Sequence, residues 1–125
     1  MIIDTDVLIW ELRGSKKARE IIHGNIPFAI SVVTYIELVQ GMRNKQELQA
    51  LQRTIKDYQW EVLLLDQTIS HTAMNYVETF FHSHSLRLAD ALIAATAVQQ
   101  GLTLLTSNSK HYQMIETLII EVFHP

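Results

Sequence analysis

Three carboxylates stand where carboxylates are costly to keep. Asp4 follows directly on the apolar run Met1-Ile2-Ile3, Glu37 sits inside VVTYIELV, and Asp90 is the one charged side chain between Leu88 and Ser109. A carboxylate in such surroundings is expensive to desolvate unless a positive or hydrogen-bonding partner meets it. Drawn into one cleft, three acids repel, and the repulsion raises their pKa values until a cation neutralises it. The chain has no cysteine, and no pair of histidines lies near these acids in sequence. The ion that suits the set is therefore hard and oxygen-seeking, Mg2+ or Mn2+. Such an ion polarises a phosphoryl oxygen and activates water, so the acids point to metal-dependent phosphate chemistry.

Each acid also has a plainer explanation. A carboxylate at position 4 or 6 caps a following helix, and Asp6 suits that role better than Asp4, which lies closer to the core. Thr34-x-x-Glu37 has the form of a capping box, which would start that helix at Thr34. An acid at position 90 opens a helix and is favoured there by the macrodipole, by about 0.3–1 kcal/mol. That accounts for an exposed acid, not for one in an otherwise uncharged segment. His82 and His84 have a spacing seen at metal sites, but FHSHS lies between two helical patterns with no third ligand in view, as a solvent loop does.

The elements that must position these acids alternate along the chain. Short apolar runs predict strands over 1–3, 28–30, 62–65, 102–105 and 119–123, with 1–3 and 62–65 taken as buried. Helical patterns lie over 7–12, 15–23, 32–42, 46–58, 68–81 and 89–100. Ser15 is an N-cap, Gly14, Gly24 and Gly101 are stops, and Asp66 caps the helix at 68. Strands separated by helices give an α/β fold, a central parallel β-sheet flanked by α-helices on both faces. Ligands in such sheets bind outside the carboxyl ends of the strands, which is where Asp4 falls.

Bulk properties narrow the class. The 125 residues suffice for one domain, 1–125, with a core that needs no staples. MIIDTDVLIW has two acids and no basic leader, so it is not a secretion signal. No apolar run approaches the ~20 residues of a membrane span. Without cysteine there is no disulfide framework, which suits a cytoplasmic protein. The net charge of −3 argues against simple coating of nucleic acid by a basic surface, though not against an enzyme that meets phosphate through a bound cation.

IIDTDVLIW, SVVTYIELVQG and RLADALIAATAVQQGLTLLTSNSKHY, in that order, resemble the PIN-domain ribonucleases, and most closely the VapC-like toxins of bacterial toxin–antitoxin pairs. The resemblance implies a PIN-like fold and an endoribonuclease that uses Mg2+ or Mn2+ to cut single-stranded or loop RNA with metal-activated water. It aligns Asp4, Glu37 and Asp90 with the family's three metal-holding acids. A fourth acid is often found where this chain has Asn108, in Thr106-Ser107-Asn108, so the resemblance implies one firmly held ion. A turn residue explains Asn108 equally well. Glu37 and Asn108 would orient the water, and Thr106 would hydrogen-bond an acid or the phosphate. Arg43, Arg87, Lys110 and Asp6 are candidates to meet RNA. The family also implies a cognate antitoxin and a homodimer. The stripe Leu48, Leu51, Ile55 and Tyr58 is first of all core, in a region that commonly helps to form the antitoxin cleft.

Other classes compete. IIDTDVL matches the opening of haloacid-dehalogenase-like phosphatases, but only 19 residues follow Thr106 and they contain no suitable acidic motif. A receiver domain phosphorylated at Asp66 would need Thr and Lys at the ends of two successive strands, whereas Thr106 and Lys110 are four apart. A non-catalytic PIN-like interaction module with a decayed site draws support from Asn108. The presence of all three acids opposes it.

Overall fold

A computed structural model describes residues 1–125. Five strands form one parallel sheet: β1 (Ile2–Ile3), β2 (Ala29–Ser31), β3 (Glu61–Leu63), β4 (Leu104–Thr106) and β5 (Ile120–Val122). Their spatial order is β3-β2-β1-β4-β5. The helices are α1 (Thr5–Leu12), α2 (Lys16–Gly24), α3 (Val32–Gln40), α4 (Lys45–Asp57), α5 (Gln67–Phe80) and α6 (Leu88–Gln100). The expected α/β architecture is present, and no helix is long and apolar enough to cross a membrane.

Strand alternation divides the core into two clusters. Ile2 and Leu104 face one way and pack with Ile69, Ala91 and Ala94 of α5 and α6. Their neighbours Ile3 and Leu105 face the other way, against Val7, Ala18, Leu38 and Leu51 of α1 to α4. The uncharged composition of α6 follows from its place: Ala91, Ile93, Ala94, Ala95, Thr96 and Ala97 are all buried. Gly101 ends α6 in the left-handed region at φ 65°, where other residues are strained, and the chain turns directly into β4.

Two local expectations are corrected and one alternative is settled. The VLLL run does not make a buried strand. β3 lies at the sheet edge with Glu61 exposed and Val62 and Leu63 half-buried, and Leu64 beyond it is 71% exposed. The helix bearing Glu37 starts at Val32, as the 32–42 pattern predicts, because the Ser31 hydroxyl accepts the Val33 N–H at 3.0 Å; the alternative start at Thr34 is not used. The cap of α1 is Asp4, not Asp6: Asp4 Oδ1 accepts the Thr5 N–H at 2.8 Å, and Asp6 lies within the first turn. Asp66 and Ser15 cap α5 and α2 as expected.

Candidate active site at the strand ends

Asp4 is placed by the two central strands. Its backbone N–H donates to the Leu105 carbonyl of β4 at 2.9 Å, so the carboxylate starts at the carboxyl end of β1 beside that of β4. Only 6% of the residue is exposed. Oδ2 accepts the Thr106 hydroxyl at 2.8 Å and the Tyr112 hydroxyl at 2.9 Å. Burial first, and the nearby Asp6 second, push the Asp4 carboxyl up to about 7 from 3.8, against the opposite pull of Thr106, Tyr112 and Thr5. Asp4 is thus a desolvated acid whose ionised form is disfavoured by its surroundings.

Asp90 reaches the same place from the N-terminus of α6. Its side chain is 15% exposed, and Oδ2 lies 3.4 Å from both the Arg87 N–H and His111 Nδ1. Oδ1 lies 3.3 Å from the Tyr112 hydroxyl. Tyr112 is thus the one group bonded to both Asp4 and Asp90. The sequence reading missed it, because an aromatic beside Lys110-His111 reads as a packing residue. Its ring does join the core formed by Ile2, Ala91 and Ile115. Burial, then the charges of Asp4 and Asp90, raise the phenol far above its ordinary range, so the hydroxyl keeps its proton.

Glu37 flanks Asp4 on the other side. The Thr5 hydroxyl lies 2.7 Å from Glu37 Oε1 and 2.9 Å from the Thr34 hydroxyl, which ties α1 to α3. Glu37 is therefore linked to Asp4 through the neighbouring Thr5, not directly. Asp6 draws in the loop after β4: its Oδ2 accepts the Ser107 N–H at 2.9 Å, the Ser107 hydroxyl, and the Asn108 side-chain amide at 3.0 Å. The amide at position 108 thus donates to a carboxylate at the site's edge.

The candidate RNA-facing cations are less concentrated. Arg43 is engaged by Glu47, with Nε 3.1 Å from Oε1, on an exposed surface. Arg87 lies at the mouth beside Asp90, and Lys110 is exposed on the short 3-10 turn Ser109–His111 that leads to Tyr112. His82 and His84 remain in the exposed loop after α5.

A family model for the PIN domain matches residues 1–116. This chain belongs to the PIN-domain family. The domain is 37% identical over 122 residues to Ribonuclease VapC10 of Mycobacterium tuberculosis, covering 94% of this chain and 90% of the relative. It is 31% identical to Ribonuclease VapC19 of the same organism, covering 94% and 95%. Its fold matches that of VapBC-1 from nontypeable Haemophilus influenzae with a TM-score of 0.82, at 23% identity over 97% of this chain and 96% of the other. A toxin–antitoxin complex from Klebsiella pneumoniae contains a chain that matches with a TM-score of 0.80, at 24% identity over 94% of each.

The metal that PIN membership implies can be tested against this donor set. The groups are carboxylates with supporting hydroxyls, suited to a hard divalent ion. No lysine or arginine forms an ion pair with Asp4, Glu37 or Asp90, so buried Asp4 has no positive partner from the protein. No three acidic or histidine side chains form a ready-made coordination cluster. Few protein ligands suit an ion such as Mg2+, which usually retains several waters. The donor chemistry fits such an ion, and Asp4 and Asp90 are the residues that would hold it.

The PIN domain also has a cleft of about 730 Å3, which meets the acid site only at Glu37. Its walls come from α1 to α4 and the turn that follows α4, and include Ile9, Leu12, Leu38, Leu51, Tyr58 and Trp60. Of the expected stripe on α4, Leu51 is buried in the core and Ile55 packs against it, while Tyr58 is exposed in this cleft.

Proposed function

We propose that this PIN domain is a Mg2+- or Mn2+-dependent endoribonuclease that hydrolyses single-stranded or loop RNA, and that it is the toxin of a toxin–antitoxin pair. The observation that carries the reading is Asp4: buried, joined to Asp90 through Tyr112, and without a positive partner from the protein. The names of the VapC10 and VapC19 relatives support ribonuclease activity. A bound divalent ion would polarise the scissile phosphoryl oxygen and activate water. Asp4 and Asp90 would hold it, and Thr106 would fix the Asp4 carboxylate. Glu37 and Asn108, on opposite flanks, would orient the attacking water, while Arg87 and Lys110 would meet phosphates entering from solvent. Attack by water leaves a 5′-phosphate and a 3′-hydroxyl.

The cleft between α1 and α4 is assigned to the antitoxin, because matching folds occur in toxin–antitoxin complexes and because Leu12 leaves 63% of its surface uncovered. A homodimer in the cytoplasm belongs to the same reading, with light scattering on the purified chain as its check. The nuclease proposal is tested by incubating purified protein with a mixed RNA pool, with Mn2+ or with excess EDTA, and mapping the ends. Cleavage that persists in EDTA, or in Asp4→Ala and Asp90→Ala, overturns it. A decayed interaction module would instead give no heat in a calorimetric Mn2+ titration.

A further inference from the structure

Tyr112 has two parts with different roles. Its ring fills the core between β1, α6 and the segment after the 3-10 turn, a task phenylalanine would perform as well. Its hydroxyl is not needed for packing, yet it is aimed at two carboxylates: 2.9 Å from Asp4 Oδ2 and 3.3 Å from Asp90 Oδ1. These acids lie 86 positions apart in the chain, and no other group bonds to both. With one proton between them, the phenol donates to Asp4 at the shorter distance and lies against Asp90 at the longer. Asp4 Oδ2 also accepts Thr106, so its orientation is fixed by two hydroxyls. Asp90 has only long contacts, of 3.3–3.4 Å, to Tyr112, His111 and the Arg87 N–H, so losing one of them loosens it.

We propose that Tyr112 is a positioning residue whose hydroxyl holds Asp4 and Asp90 in register for one shared divalent cation. This rests on the reading of those two acids as the metal holders. Groups that orient metal ligands from behind typically govern affinity by about 10- to 100-fold. A purely structural tyrosine would affect folding and leave cation affinity alone.

The test is a calorimetric Mn2+ titration of metal-stripped wild type, Tyr112→Phe and Asp4→Asn, with thermal melts of each in EDTA. Tyr112→Phe is expected to bind Mn2+ about tenfold more weakly while its EDTA melt stays within a few degrees of wild type. Its kcat should fall while its KM for RNA stays unchanged. Mn2+ affinity equal to or tighter than wild type overturns the proposal, and leaves the metal reading standing if Asp4→Asn abolishes the heat. No heat from wild type overturns both. Should Tyr112→Phe fail to fold, Mg2+ titration of wild type with isotope-labelled tyrosine decides. The Tyr112 ζ-carbon signal must move in step with ion binding, and a static signal overturns the role.

Discussion

Asp4 accepts hydrogen bonds from Thr5, Thr106 and Tyr112 but pairs with no lysine or arginine, so in the absence of metal its ionisation opposes folding. The unfolded chain releases this proton near pH 4, whereas the folded chain holds it up to about pH 7. The stabilising contribution is full below pH 4 and is lost as pH rises through 7, by up to about 4 kcal/mol in EDTA. Denaturant titrations at pH 5 and pH 8 should show wild type weakening and Asp4→Asn nearly unchanged; equal slopes for the two would contradict the assignment. Asn108 makes a second case. Its amide donates to Asp6 at 3.0 Å, and Asn108→Asp would replace that bond with carboxylate against carboxylate. The variant should lose about 1–2 kcal/mol in EDTA and recover with Mn2+, read by melts with and without the ion. Asp4 and Asp90 were legible because a charge in an apolar run has to be explained. Tyr112 was not, because nothing in an aromatic side chain's sequence context tells which way its hydroxyl points.

At the scale of elements, the patterns open to two readings were those with two physical solutions. A Thr-x-x-Glu spacing suits a capping box, but Ser31 offered a cap three residues earlier, which left Thr34 and Glu37 inside α3 to meet Thr5. Likewise VLLL suits a buried strand, and periodicity does not say whether a second neighbour lies alongside; here β3 has only β2. Stops were legible because left-handed backbone selects its residue. Gly101 sits at φ 65° with no atom within 4 Å of where a Cβ would be, so Gly101→Ala meets conformational strain without a clash. The expected cost is about 1 kcal/mol in chemical denaturation. Because Gly101 lies at the far end of α6 from Asp90, RNA cleavage at a temperature where the variant is folded should be retained. A loss well above 1 kcal/mol would mean that the turn into β4 does more than reverse the chain.

For the molecule as a whole, alternation of strands and helices foretold the parallel sheet and placed the acids at its carboxyl edge. It did not foretell the separate cleft of about 730 Å3 between α1 and α4, because cleft shape depends on how four helices pack. The two sites meet at Glu37, whose carboxylate bonds to Thr5 beside Asp4 and also lines the cleft. A partner seated in the cleft would therefore reach the flank of the acid site without occupying Asp4 or Asp90. Leu12 offers a way to separate the two activities. It is 63% exposed on the cleft wall, so Leu12→Glu removes apolar contact area and adds a charge without emptying the core. Desolvating that carboxylate under a bound segment should weaken the proposed antitoxin complex by about 2 kcal/mol or more, roughly 30-fold, in co-purification and direct binding measurements. The Mn2+ titration of the same variant should match wild type, because no metal-holding side chain has moved. If Leu12→Glu retains wild-type affinity for its antitoxin, the partner docks on another face, and the link through Glu37 has no part in its control.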